Sequence, residues 1–119
     1  MGHVLINNTR GRDDVERATL AMVVANAGLT SGQDVTVLLT IDGVWCATKG
    51  YTDGLQANGF APLGELIQKF LDAGGTLWVC GACAKPREIT QEQLIEGAKL
   101  VGAAAAIEAM VNGAQTLSW

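Results

Sequence analysis

Thr76-Leu77-Trp78-Val79-Cys80-Gly81-Ala82-Cys83 is an apolar run that ends in two thiols and is followed closely by Lys85-Pro86-Arg87. A short continuous apolar run bounded by glycine reads as a buried strand. Gly74-Gly75, just upstream, closes a helix that begins at Pro62, a residue suited to a first turn, and carries Leu66, Ile67, Phe70 and Leu71. A helix that feeds a buried strand is the repeating unit of an α/β fold, whose ligands bind at the carboxyl ends of the strands. Cys80 therefore stands at the mouth of a sheet, and the cations of Lys85 and Arg87 behind it favour a thiolate over a thiol.

The pattern repeats outward from this centre. Upstream, His3 to Asn7 is a short apolar strand, followed by the polar loop Asn8-Thr9-Arg10-Gly11-Arg12. A helix follows from near Asp13, where Asp13 and Glu16 resemble a capping box, with Val15, Ala18, Met22 and Ala25 at helical spacing. Asp34 to Thr40 is β-branched and continuous, as a buried parallel strand should be. Asp42 to Thr48 reads as a helical turn, and Lys49 to Ala61 as a glycine-bearing loop and lid candidate. Downstream, Thr90 caps a short helix over Gln91 to Glu96, and Ala98 to Val101 is a fourth strand. An Ala-rich helix covers Ala103 to Val111, and Ala114 to Ser118 is the last strand.

These elements predict a three-layer α/β/α fold with a mainly parallel five-stranded sheet of Rossmann or flavodoxin type, right-handed crossovers, and a single domain over residues 1–119. The loops after the first three strands share one edge, so Asn8, Thr9, Arg10, Trp45, Cys46 and Tyr51 form the possible pocket around Cys80 and Cys83. His3 opens its strand and falls at the opposite edge, about 15 Å away at ~3.3 Å per residue.

The composition narrows the function. Among 119 residues, 49% are hydrophobic and only 17% charged, which favours burial of surface in a homo-oligomer. A formal net charge of -4 without a Lys/Arg cluster argues against nucleic acid as a partner. The longest uncharged stretch, Ala18 to Gln33 apart from its polar and glycine interruptions, is too short for a membrane span, and the N-terminus has no signal-peptide pattern. A cytoplasmic address is the expectation, with no nucleotide or other cofactor, because no phosphate-binding glycine pattern follows the first strand.

The odd count of three cysteines suits reduced, working thiols better than a disulfide framework. Zinc would find half a tetrahedral site in Cys80 and Cys83, but the single histidine lies at the wrong edge, so no metal is expected. A dithiol oxidoreductase is a second reading, although Pro86 interrupts the long helix that supports the thiolate in thioredoxin-like motifs. In the third, Cys80 alone carries sulfur as a persulfide and Cys83 releases it. Against all three stands burial of the thiols as small hydrophobes, the best reading for Cys46 beside Trp45. The small-residue helix Gly102-Ala103-Ala104-Ala105-Ala106 supports another class, a non-catalytic oligomeric module with an interfacial pocket for a small ligand.

Val79-Cys80-Gly81-Ala82-Cys83-Ala84-Lys85-Pro86-Arg87 resembles the signature of the Cys-x-x-Cys branch of the DsrE-like (DsrE/DsrF/DsrH) sulfur-relay family. Asp42-Gly43-Val44-Trp45, Lys49-Gly50, Pro62-Leu63 and Ala73-Gly74-Gly75-Thr76 occur in the order found in that branch, so the resemblance spans nearly the whole chain. It implies a three-layer α/β fold, homotrimers or hexamers, and a cysteine, here Cys80, that accepts sulfane sulfur from a persulfide donor protein for an acceptor. Arg87 matches the arginine that follows the motif, whereas Glu88 stands where the family generally has glycine, an acid that weakens the local positive field.

Overall fold

The computed structural model describes residues 2–119. Strands β1 (His3–Asn8), β2 (Asp34–Leu39), β3 (Thr76–Cys80), β4 (Ala98–Val101) and β5 (Gln115–Ser118) form one all-parallel sheet in the order β4-β3-β2-β1-β5. Helices α1 (Val15–Thr30), α2 (Leu63–Asp72), the single turn α3 (Gly81–Ala84) and α4 (Ala103–Val111) lie between them. The chain steps outward from β1 to β4 and then returns across the sheet to β5. With right-handed crossovers, that reversal puts α4 on the face opposite α1 and α2.

Side chains alternate across the strands, so the register decides what each helix covers. Ile6 pairs with Val37, Val37 with Leu77 and Leu39 with Val79, and all five are at most 1% exposed. They pack against Ala18, Ala21, Met22 and Ala25 of α1 and Leu63, Ile67 and Phe70 of α2. Each large apolar side chain so buried contributes about 1.5–3 kcal/mol. Asn26 joins the two helices by donating to the Leu66 carbonyl at 3.1 Å. On the other face Leu38, Trp78, Cys80 and Val101 are only half-buried, and α4 has no buried residue.

The observed α1 begins two residues later than expected. Its N-cap is Asp14, whose carboxylate accepts from the Arg17 amide, whereas Asp13 lies within the preceding 3-10 turn, Arg12–Asp14, and accepts from the Gly11 amide at 2.8 Å. Both acids sit where a cap is favourable, and the tight loop claims the first of them. The last strand starts at Gln115 rather than Ala114, and the expected helix over Gln91 to Glu96 is one 3-10 turn, Gln91–Gln93, closed by a Thr90/Gln93 capping box.

At the carboxyl edge the loops after β1 and β2 approach backbone to backbone. A Cβ on Gly43 would run into the Asn8 carbonyl, so only glycine allows that contact. The segment after the cysteines is tied to the same edge, because Lys49 N donates to Gln93 O at 2.9 Å and Ile95 N to Ala47 O at 2.8 Å.

Candidate functional site

Cys80 is the last residue of β3 and the N-cap of α3. Leu77 and Val79 turn to the α1/α2 core, so Cys80 faces the α4 side, half-exposed. There it borders an apolar cavity of about 230 Å³, walled by Leu38, Thr40, Val101, Gly102, Ala103, Ala106 and Ile107. The walls come from the ends of β2 and β4 and from the first two turns of α4. None of them belongs to the loop Lys49 to Ala61, which instead edges a separate, more polar hollow of about 390 Å³ with the start of α2. The lid expected over Cys80 thus lies elsewhere: with α4 on this face, helix rather than loop covers the thiol.

Cys83 follows one helical turn later, also half-buried. Burial pushes its thiol above the ordinary value, the Ile41 amide pulls it down by hydrogen bonding, and the neighbouring Cys80 thiol pushes it up again. The guanidinium of Arg87 draws it down more weakly. Ile41 presents that amide from a left-handed conformation, φ 53°, unusual for a β-branched residue, while its side chain stays 52% exposed. Strain of this kind tends to accumulate at functional sites.

Arg87 is a brace between two loops. Its Nε and Nη2 donate to Asp42 Oδ1 at 3.2 and 3.0 Å, and its Nη1 donates to the Cys83 carbonyl at 3.0 Å. Part of its charge is therefore spent on a carboxylate that sequence reasoning had not enlisted, and Lys85 is left as the exposed cation of the motif.

The remaining pocket candidates secure the neighbouring loops. Asn8 is 1% exposed and turns its amide onto its own loop, accepting from Arg10 N and donating to Arg10 O, both at 3.0 Å. Thr9 donates to the Trp119 carbonyl at 2.9 Å, and Arg10 pairs with Asp13 at 3.0 Å. Asp13 and Asp14 in turn hold the Gly11 and Arg17 amides at 2.8 and 3.0 Å. Trp45 stacks on Tyr51 at 6.0 Å, and Arg12 lies 4.3 Å over the Tyr51 ring while its amide donates to the phenol oxygen. Burial, first among several causes, raises the Tyr51 phenol. Cys46 is buried, donates to the Arg10 carbonyl, and is pushed up to about 12 chiefly by burial. It is a protonated core thiol.

Cys80 and Cys83 are thus brought together, Arg87 stands behind Cys83, and the Asn8–Arg10 and Trp45–Tyr51 groups buttress the edge. The cavity wall and Ile41 were missed. Alternation along β3 sends Cys80 away from the core, but it is the return of the chain from β4 to β5, beyond β1, that brings α4 over it, and no local pattern gives that strand order. Ile41 carries no turn-residue signal.

The profile of the DsrE/DsrF-like family matches residues 2–119. This chain belongs to that family. Uncharacterized protein MJ0760 of Methanocaldococcus jannaschii is 32% identical over 100 residues, which cover 84% of this chain and 36% of that protein. Uncharacterized protein MJ0989 of the same organism is 36% identical over 85 residues, 71% of each chain. This chain therefore spans about a third of the length of MJ0760. Among solved structures, the ychN protein of E. coli superposes with a TM-score of 0.72 at 14% identity, covering 100% of this chain and 99% of the other. MTH1491 of Methanobacterium thermoautotrophicum gives 0.74 at 12% identity, with both chains covered completely. At such identities the likeness establishes the DsrE-like fold.

Among the described residues, no three His, Cys, Asp or Glu side chains gather into a set that could hold a metal ion, and no helix is long and apolar enough to cross a membrane.

Proposed function

We propose that this DsrE/DsrF-like chain is a sulfur carrier in which Cys80 accepts sulfane sulfur and passes it to an acceptor thiol. Family membership fits sulfur relay in general, and one observation carries the specific reading: a half-exposed strand-end thiol opens into an apolar cavity with a second thiol one turn away. In the loading step the Cys80 thiolate attacks the outer sulfur of a donor persulfide. The donor S–S bond breaks, the donor leaves as a thiolate, and Cys80 becomes a persulfide. An acceptor thiolate then takes the outer sulfur and restores Cys80. Alternatively, Cys83 attacks the inner sulfur, forms a Cys80–Cys83 disulfide and expels hydrosulfide, after which a dithiol reductant resets the pair.

The carrier works as a homo-oligomer, a trimer or a hexamer. In support, Ile107, Met110 and Val111 of α4 are 59%, 47% and 78% exposed, and Leu117 on β5 is 45% exposed. Three free thiols suit a reducing compartment, so we place the protein in the cytoplasm. A non-catalytic binding module is the second reading, favoured by the nearly apolar cavity wall, which would also hold a small uncharged ligand.

Incubation of the reduced protein with a persulfidated donor, followed by intact-mass and peptide mass spectrometry, separates these readings. Carriage adds sulfur at Cys80 and none at that peptide in Cys80→Ser. Free thiols that take up no sulfur would leave the binding module in its place.

A further inference from the structure

The carrier reading of Cys80 leaves open what form of sulfur it holds, and the cavity beside it bears on that. A persulfide adds one atom to the thiol. The space Cys80 borders is about 230 Å³, and at about 30 Å³ for each water-sized atom it has room for several. Its wall is aliphatic at Leu38, Val101, Ala103, Ala106 and Ile107, with Thr40 the polar side chain among them. Burying an anion against such a wall is costly, whereas inner sulfane sulfurs are uncharged and polarisable, and suit it.

We infer that Cys80 carries a chain of sulfane sulfurs rather than a single atom, and that the substrate class of the cavity is inorganic polysulfide. The Cys80 thiolate attacks a sulfur of the polysulfide dianion, one S–S bond forms to Cys80, and one S–S bond of the polysulfide breaks. The shortened polysulfide leaves with two negative charges, and the chain bound to Cys80 keeps one on its terminal sulfur, so no oxidant or reductant is consumed. The inner sulfurs lie along the aliphatic wall. The terminal sulfur, the only charged atom of the chain, stays at the cavity mouth or takes up a proton.

The test loads the full chain with inorganic tetrasulfide, removes excess reagent, and counts sulfur on the Cys80 peptide by mass and by cyanolysis, in which each sulfane sulfur yields one thiocyanate. The count is made in the wild type and in Cys83→Ser, which cannot discharge Cys80 as a disulfide. Two or more sulfurs per Cys80 are expected, falling to one in Ala106→Phe, which fills the cavity, and rising in Ile107→Ala, which widens it through a residue already 59% exposed. The pair of variants acts in opposite directions, so a folding defect in one cannot imitate the pattern. A single sulfur on Cys80 in every protein, unchanged by either cavity variant, overturns this inference and leaves the carrier intact. No sulfur on Cys80 from tetrasulfide or from a persulfidated donor overturns both.

Discussion

On the face of the sheet that meets α1 and α2, Ile6, Val37, Leu77 and Val79 are at most 1% exposed and the helices close over them. On the opposite face Cys80, Trp78 and Val101 stay half-exposed beneath α4, a helix that buries none of its own residues. The two faces share the same strands, so the difference comes from what crosses over them. Helices α1 and α2, which bury Ala18, Met22, Leu63, Ile67 and Phe70 among others, cover the first, and one short Ala-rich helix covers the second. The packed face holds the fold, while the sparsely covered face leaves a thiol accessible and an apolar helix to be covered by something else.

The sharpest contrast is between thiols. Cys46 belongs to the packed core and is raised from an ordinary 9.0 to about 12. At pH 8 its thiolate fraction is then ~10⁻⁴, so alkylation should run more than about a thousandfold slower than for a free cysteine. Labelling at Cys80 should precede labelling at Cys46 in peptide mapping; comparable rates would mean that the core opens readily. Because the folded state raises this thiol, the stability due to its neutral form is full below about pH 9 and declines as pH rises toward about 12. A Cys46→Ala variant should lose part of that alkaline decline in a pH series of urea melts.

Stability should divide between the faces in the same way. Phe70 is 0% exposed against the Gly75 backbone and the core, and Phe70→Ala should cost about 3–5 kcal/mol in denaturant unfolding. Val111→Ala, at a position 78% exposed on α4, should fall within about 0.5 kcal/mol in the monomer. Similar losses at both positions would break the comparison. The assembly should respond in the reverse order. Val111→Glu places a charge on the uncovered face of α4, away from the Cys80 cavity, and should weaken self-association at least tenfold, about 1.4 kcal/mol, by sedimentation. An unchanged oligomer would put the contact on another surface.

How much of this was visible beforehand follows from the range of each interaction. The strands and α2 were legible because their apolar runs and glycine stops are local, and Cys80 was placed at a strand end by the same logic. Asp42 and Arg87 stand 45 residues apart, and no local pattern joins them; only the shared carboxyl edge does. Likewise, α4 becomes the wall over Cys80 only once β5 is known to lie beyond β1. The start of α1 was misjudged by one acid because Asp13 and Asp14 are equally good caps on paper, and the Gly11 amide decides between them.

Glu88 shows a sequence oddity acquiring a different cause. As an acid close to Cys83 and Lys85 it reads as a drain on the positive field, yet the structure puts its backbone at φ 58°, ψ 34°, the left-handed cap of the turn Lys85–Arg87, with its side chain in solvent. A glycine there, the residue expected from the resemblance, answers a demand of the backbone. A non-glycine residue costs roughly 1–2 kcal/mol in that region, and the extra freedom glycine has when unfolded returns about half of it. Glu88→Gly should therefore stabilise the chain by only about 0.5–1 kcal/mol and leave sulfur loading at Cys80 within twofold. A large change in loading with no change in stability would restore the electrostatic reading and make Glu88 part of the reactive face rather than of the turn that supports it.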